Sequence, residues 1–121
     1  MDDKKKILLV EDTIAILKLT KFRLENAGFE VVAATDGQIA LEIMQNNRPD
    51  IVLLDYGLPK LDGAEVARRI KSDERYKAIP VIMFTASLEN LKLIRELGIE
   101  DGILKPYEPE ELILKIKKYL G

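Results

Sequence analysis

Five polar side chains stand at the ends of short apolar runs, and their types suit one kind of chemistry. Glu11 and Asp12 follow Ile7-Leu8-Leu9-Val10, Asp55 follows Ile51-Val52-Leu53-Leu54, Thr85 follows Val81–Phe84, and Lys105, itself followed by Pro106, follows Ile103-Leu104. Three carboxylates with no nitrogen or sulfur donor beside them select a hard cation, Mg²⁺ or Mn²⁺. The chain contains no histidine and no cysteine, which excludes imidazole or thiolate metal sites, a Ser-His-Asp triad, a histidine base and disulfides. Mg²⁺ held by one or two carboxylates, a carbonyl and waters leaves room for a phosphate oxygen. A lysine supplies a point charge to a second oxygen, and a threonine hydroxyl can hydrogen-bond a third. A carboxylate inside such a cluster is a competent nucleophile toward a phosphoryl group, with cation and lysine stabilising the transferring charge. Singly, each residue has an ordinary structural role as a helix cap or a solvated lysine. Together they do not, because clustered carboxylates repel one another unless a cation or a lysine neutralises them.

Elements that gather these residues are legible in the hydropathy. Ile7–Val10, Val31–Ala34, Ile51–Leu54, Val81–Phe84 and Ile103–Leu104 are continuous rather than alternating, as in strands covered on both faces. Between them, apolar residues recur at helical spacing: Ile16, Leu19, Leu24 and Ala27 before Gly28; Ile39, Ala40, Ile43 and Met44; Val66, Ala67 and Ile70; Leu91, Ile94 and Leu97 before Gly98; and Leu112, Ile113, Ile116, Tyr119 and Leu120 after Pro109. This is a (βα)₅ pattern, which predicts an α/β, doubly wound, mostly parallel sheet with helices on both faces and right-handed crossovers. Ligand sites in such sheets lie at the carboxyl edge, where the residues after each strand converge.

The 121 residues predict one domain over 1–121, and the final helix running to Gly121 predicts no second one. Nineteen basic against 21 acidic residues leave a net charge of −2, which argues against nucleic-acid binding through bulk positive charge. Apolar runs of four residues cannot span a bilayer, and the mixed-charge Met1–Lys6 is no signal peptide, so a cytoplasmic location without membrane contact is expected. Lys4, Lys5 and Lys6 read as a solvated lead-in, while Lys115, Lys117 and Lys118 suit the negative end of the last helix dipole.

Glu11-Asp12, Asp55, Thr85 and Lys105-Pro106, with Leu58-Pro59 and Asp62-Gly63 downstream of Asp55, resemble the receiver domain of two-component response regulators over essentially the whole chain. The resemblance implies a five-stranded flavodoxin-like sheet of order 2-1-3-4-5, the order for which a chemotaxis receiver is a standard example. It implies Asp55 as phosphoacceptor and Asp12 as direct Mg²⁺ ligand. The Gly57 carbonyl would be a further ligand and Glu11 a second acidic partner through water. Thr85 is implied as switch hydroxyl, Lys105 as the phosphate-pairing lysine, and the Lys105–Pro106 bond as cis. The implied phosphodonor is a sensor histidine kinase or phosphotransfer protein, recognised around Ile14–Lys21, with signalling by contact with an unnamed downstream protein and a monomeric or weakly dimeric state.

Three departures from the family bear on function. Gly102 stands three residues before the lysine, where receivers usually carry a switch aromatic, and Tyr107 instead reads as packing. From Thr85 to Lys105 is twenty residues, about two fewer than usual, so the Ser87–Leu97 segment is trimmed. Gly57 and Ser87 flank the phosphate without bulk, which predicts easy water access and a short-lived phosphoaspartate. Alternative readings are a receiver-like interaction domain lacking the usual aromatic switch, or a phosphorelay intermediate. An aspartyl phosphatase would carry Asp-x-Asp where this chain has Asp55-Tyr56-Gly57, and a nucleotide or flavin binder would carry glycines where it has Glu11-Asp12-Thr13-Ile14.

Overall fold

Five parallel strands, β1 (Lys6–Val10), β2 (Glu30–Ala34), β3 (Ile51–Asp55), β4 (Val81–Thr85) and β5 (Asp101–Leu104), form one sheet in the order β2-β1-β3-β4-β5. The order is the one the resemblance implied. The computed structural model describes residues 3–121. Met1 and Asp2 lie outside the described residues. Lys4 and Lys5 are exposed, but Lys6 opens β1, and its ammonium stands 3.8 Å from Glu30.

Each strand feeds alternate side chains to two cores, which is why the runs are apolar throughout. Leu8, Val10, Val52, Leu54, Val81 and Met83 point to one face, where they meet α2 (Gly37–Asn46), α3 (Gly63–Ser72) and the two short helices α4 (Leu88–Leu91) and α5 (Leu93–Leu97). Ile7, Leu9, Ile51, Leu53, Ile82 and Phe84 point to the other, against α1 (Ile14–Asn26) and α6 (Pro109–Leu120). The central strand residues are essentially inaccessible, so truncating one, such as Leu53, costs about 2–5 kcal/mol.

Helix ends follow the sequence. Asp36 caps α2 by accepting the Ile39 N–H at 2.8 Å, Asp62 caps α3 by accepting that of Glu65 at 2.9 Å, and Pro109 opens α6. Gly28 and Gly98 close their helices with positive φ.

Two expectations need correction. Ile16 and Leu19 were expected on the inward stripe of α1, but Leu17, Thr20 and Leu24 face the core. Ile14, Ile16, Leu19 and Phe22 are instead exposed, between 45% and 61%. This helix carries apolar residues on nearly every side, so spacing alone does not choose the buried face. The trimmed segment is not one shorter helix either. It consists of α4, of four residues, and α5, of five, on either side of Lys92, whose backbone keeps helical angles (φ −66°, ψ −24°), and no residue of α4 is buried.

At the edge of the sheet where the strands begin, Lys71 ties three segments together. Its ammonium donates to the carbonyls of Lys77 at 3.1 Å and Ile79 at 2.7 Å, and pairs with Glu100 at 2.9 Å. Glu100 also accepts the Val81 N–H at 2.8 Å, which pins the entry of β5 to the entry of β4.

Candidate functional site

At the opposite edge the strand ends bring all the sequence-selected residues together. Asp55 and Thr85 are the last residues of β3 and β4, one position earlier in the layout than expected, because each still pairs across the sheet (Asp55 with Phe84, Thr85 with Leu104). Glu11 follows β1 and Lys105 follows β5. The Lys105–Pro106 bond is cis, and the Lys105 N–H donates to the Thr85 carbonyl at 2.8 Å. Gly63 lies so close to the Asp55 carbonyl that a β-carbon there would also stand 2.8 Å from the Tyr56 Cα, so the start of α3 seats directly against the strand end.

Glu11 and Asp55 are buried, at 3% and 5% exposure, whereas Asp12 is open to solvent. One carboxylate oxygen from each of the three lies within 4.8 Å of the others. The Lys105 ammonium donates to Asp55 Oδ1 at 2.9 Å and stands 3.7 Å from Glu11 Oε1. Glu11 Oε2 accepts the Thr13 N–H at 3.0 Å. Burial pushes the Glu11 carboxyl above its ordinary value, the Thr13 hydrogen bond pulls it down, and the Asp55 charge pushes it up again. Burial works against the Lys105 ammonium, but its hydrogen bond to Asp55 and the two carboxylate charges outweigh this and hold its pKa above the usual lysine value.

Asp12, Asp55 and Lys105 line an open cleft of about 390 Å³ that Gly57, Thr85, Ser87 and Asn90 complete. A β-carbon on Gly57 would meet nothing within 4 Å, in keeping with the unobstructed approach expected there. Tyr107 stacks on Phe84 with ring centroids 5.3 Å apart, the packing role read from its position. The donor set fits a hard divalent cation. It offers carboxylate oxygens only, clustered tightly enough to share one ion, with one ligand facing solvent and a lysine offsetting part of the negative charge.

Two features of this edge were not read from the sequence. Thr85 Oγ1 accepts hydrogen bonds from the Ser87 N–H and from Asn90 Nδ2, each at 3.1 Å. A β-carbon on Gly102 would collide with Ile94 Cδ1 and stand 2.8 Å from Leu91 Cδ2, so residues of α4 and α5 occupy the space beside the missing ring. The shortened interval from Thr85 to Lys105 was the available signal for both, since it draws α4 and α5 in against β4 and β5.

Comparison with known proteins agrees with this geometry. The family model described as response regulator receiver domain matches residues 7–117. The phosphate regulon transcriptional regulatory protein PhoB of Pseudomonas aeruginosa is 41% identical over 118 residues, 96% of this chain and 52% of that protein. The chain spans about half the length of the curated relatives it matches. Among solved structures, chemotaxis protein CheY4 of Vibrio cholerae superposes with a TM-score of 0.90 at 30% identity, covering 97% of this chain and 99% of that one. The receiver domain of sensor histidine kinase PA1611 from Pseudomonas aeruginosa, with magnesium coordinated in its active-site cleft, gives a TM-score of 0.88 at 31% identity over 98% and 99% of the two chains. Among the described residues, no helix is long and apolar enough to cross a membrane. The chain belongs to the response regulator receiver domain family, the phosphoacceptor signalling modules of two-component systems.

Proposed function

We propose that Asp55 takes the phosphoryl group from a phosphohistidine on a sensor histidine kinase or phosphotransfer protein. An Asp55 carboxylate oxygen forms the new O–P bond as the donor's N–P bond breaks, and the leaving imidazole keeps its nitrogen lone pair and takes up a proton. Asp12, Asp55 and the Gly57 carbonyl would hold Mg²⁺, with Glu11 acting through water. Bound there, the ion supplies positive charge to the phosphoryl oxygens and to the clustered carboxylates. Lys105 neutralises the carboxylates before transfer and pairs with a phosphoryl oxygen after it. Thr85 donates its hydroxyl proton to another. Hydrolysis of the acyl phosphate by water entering past Gly57 and Ser87 resets the module. The exposed apolar residues Ile14, Ile16, Leu19 and Phe22 on α1 fit the docking of a partner helix beside the site. Output is contact with a downstream protein on the face to which α4 and α5 contribute.

The observation that carries this reading is the 2.9 Å Lys105–Asp55 contact set among three carboxylates within 4.8 Å of one another. Incubation with Mg²⁺ and a small acyl-phosphate donor, followed by intact-mass measurement, should add one phosphoryl group to the parent and none to Asp55→Asn. Unmodified parent protein, or equal modification of the variant, refutes it. A second reading, an interaction domain with altered readout, is favoured by Leu91 and Ile94 filling the space beside Gly102.

A further inference from the structure

We infer that Asn90 is a positioning residue for the Thr85 hydroxyl and the link that carries phosphorylation to α4, in a chain whose switch-ring position is Gly102. The inference rests on the phosphoacceptor reading above.

A hydroxyl has two acceptor positions and one proton. Ser87 N and Asn90 Nδ2, each at 3.1 Å, fill both acceptor positions on Thr85 Oγ1. With both acceptor positions filled, the O–H proton is free for an acceptor in the cleft that Thr85 lines together with Asp55 and Lys105. Thr85 is thereby oriented as a donor before any phosphoryl group arrives. A ring swinging between outward and inward positions cannot work here. Gly102 has no side chain, and Ile94 and Leu91 stand over it within the reach of a single β-carbon.

Two groups tie Thr85 Oγ1 to this face: the backbone N–H of Ser87 at the N-cap of α4, and the side-chain amide of Asn90. Asn90 belongs to the same four-residue helix as Leu91, and no residue of that helix is buried. A segment so weakly anchored shifts at small cost. Donation of the Thr85 proton to a phosphoryl oxygen draws Oγ1 toward Asp55. The Asn90 amide either follows, taking α4 and the Leu91 contact over Gly102 with it, or loses its bond. Glycine at 102, the two-residue trimming and asparagine at 90 then form one device, in which an amide does what a ring does elsewhere in the family.

The test uses beryllofluoride with Mg²⁺ as the phosphoryl mimic and backbone amide chemical shifts as the readout, on the parent chain, Asn90→Ala and Glu89→Ala. Glu89 lies on the same helix, is exposed, and is not among the hydrogen-bond donors to Thr85 Oγ1, so it reports on simple disturbance of α4. In the parent and in Glu89→Ala, adduct formation should shift amides both around Asp55 and across residues 88–97. In Asn90→Ala, the shifts around Asp55 should persist while those across 88–97 fall to less than half. Equal responses in the parent and Asn90→Ala overturn the inference, as does an equal loss in Glu89→Ala or a parent whose residues 88–97 do not respond. No adduct on the parent chain removes the phosphoacceptor reading itself, and the inference with it.

Discussion

Replacing Lys105 by methionine keeps most of the aliphatic stem and removes the charge. Its ammonium stands 2.9 Å from Asp55 and 3.7 Å from Glu11. At an effective dielectric of about 20, Coulomb's law gives roughly 6 and 4.5 kcal/mol of gross attraction at those separations. Desolvation of the three charges offsets most of that, and the lysine side chain retains 29% exposure. The net cost of leaving two buried carboxylates facing each other is therefore about 2–3 kcal/mol at pH 7 without divalent cation. The chain has no tryptophan, so urea unfolding is best followed by far-UV circular dichroism. The midpoint should fall by about 1–2 M for an ordinary urea dependence. Adding Asp55→Asn removes one of the repelling charges and should recover about half the loss, a coupling of about 1–2 kcal/mol in the double-mutant cycle. An unchanged midpoint in Lys105→Met, or strictly additive effects in the cycle, would refute the picture of a lysine that holds two buried carboxylates together.

Mg²⁺ at about ten times its dissociation constant should stabilise the parent by about 1.4 kcal/mol, or roughly 5 °C in Tm for a chain of this size; a melting curve unmoved by Mg²⁺ or by chelator contradicts the metal site. Gly57→Met fills open space beside the cleft and should slow phosphate loss from Asp55 several-fold, and an unchanged or faster rate counts against water access as the limit. Asp101 is a pH-dependent contributor. Burial raises its pKa, but hydrogen bonds from the Gly102 N–H, the Lys115 ammonium at 3.1 Å and the Tyr119 hydroxyl at 2.9 Å outweigh burial and leave it below the ordinary aspartate value of 3.8. A depressed folded-state pKa gives stability that is present above 3.8 and lost as pH falls through the folded value. Asp101→Asn should accordingly cost about 1 kcal/mol at pH 7. That difference should shrink in acid, and one that grows in acid would invert the sign of the argument.

The site residues were legible because each ends a strand, and a parallel sheet delivers strand ends to one edge whatever the helices do. Asp55, Thr85, Glu11, Asp12 and Lys105 needed only the order of the elements to be brought together. The inward face of α1 was not legible, because Ile14, Ile16, Leu19 and Phe22 are as apolar as Leu17 and Leu24, and it is packing against β1, β2 and α6 that distinguishes them. Gly102 was readable as a gap, but not what fills it. The positions of Leu91 and Ile94 depend on how the ten-residue stretch Leu88–Leu97 seats against β4 and β5, and no local signal in its sequence marks that seating. Asn90 went unread for the same reason: its amide reaches Thr85 only once α4 is seated beside β4.

The anchoring of Glu100 to both Lys71 and Val81 has a consequence for how this lineage can change length. With the start of β5 clamped to the start of β4, a deletion between them cannot be absorbed by sliding one strand along the other. Such a slip would also turn Ile103 out of its core, since neighbouring strand residues face opposite sides. Lost or gained residues must therefore come out of the crossover itself. Within it, α5 is held by Leu97 in the core, whereas α4 buries no residue, so the stretch directly after β4 takes up a change of length at the least cost in packing.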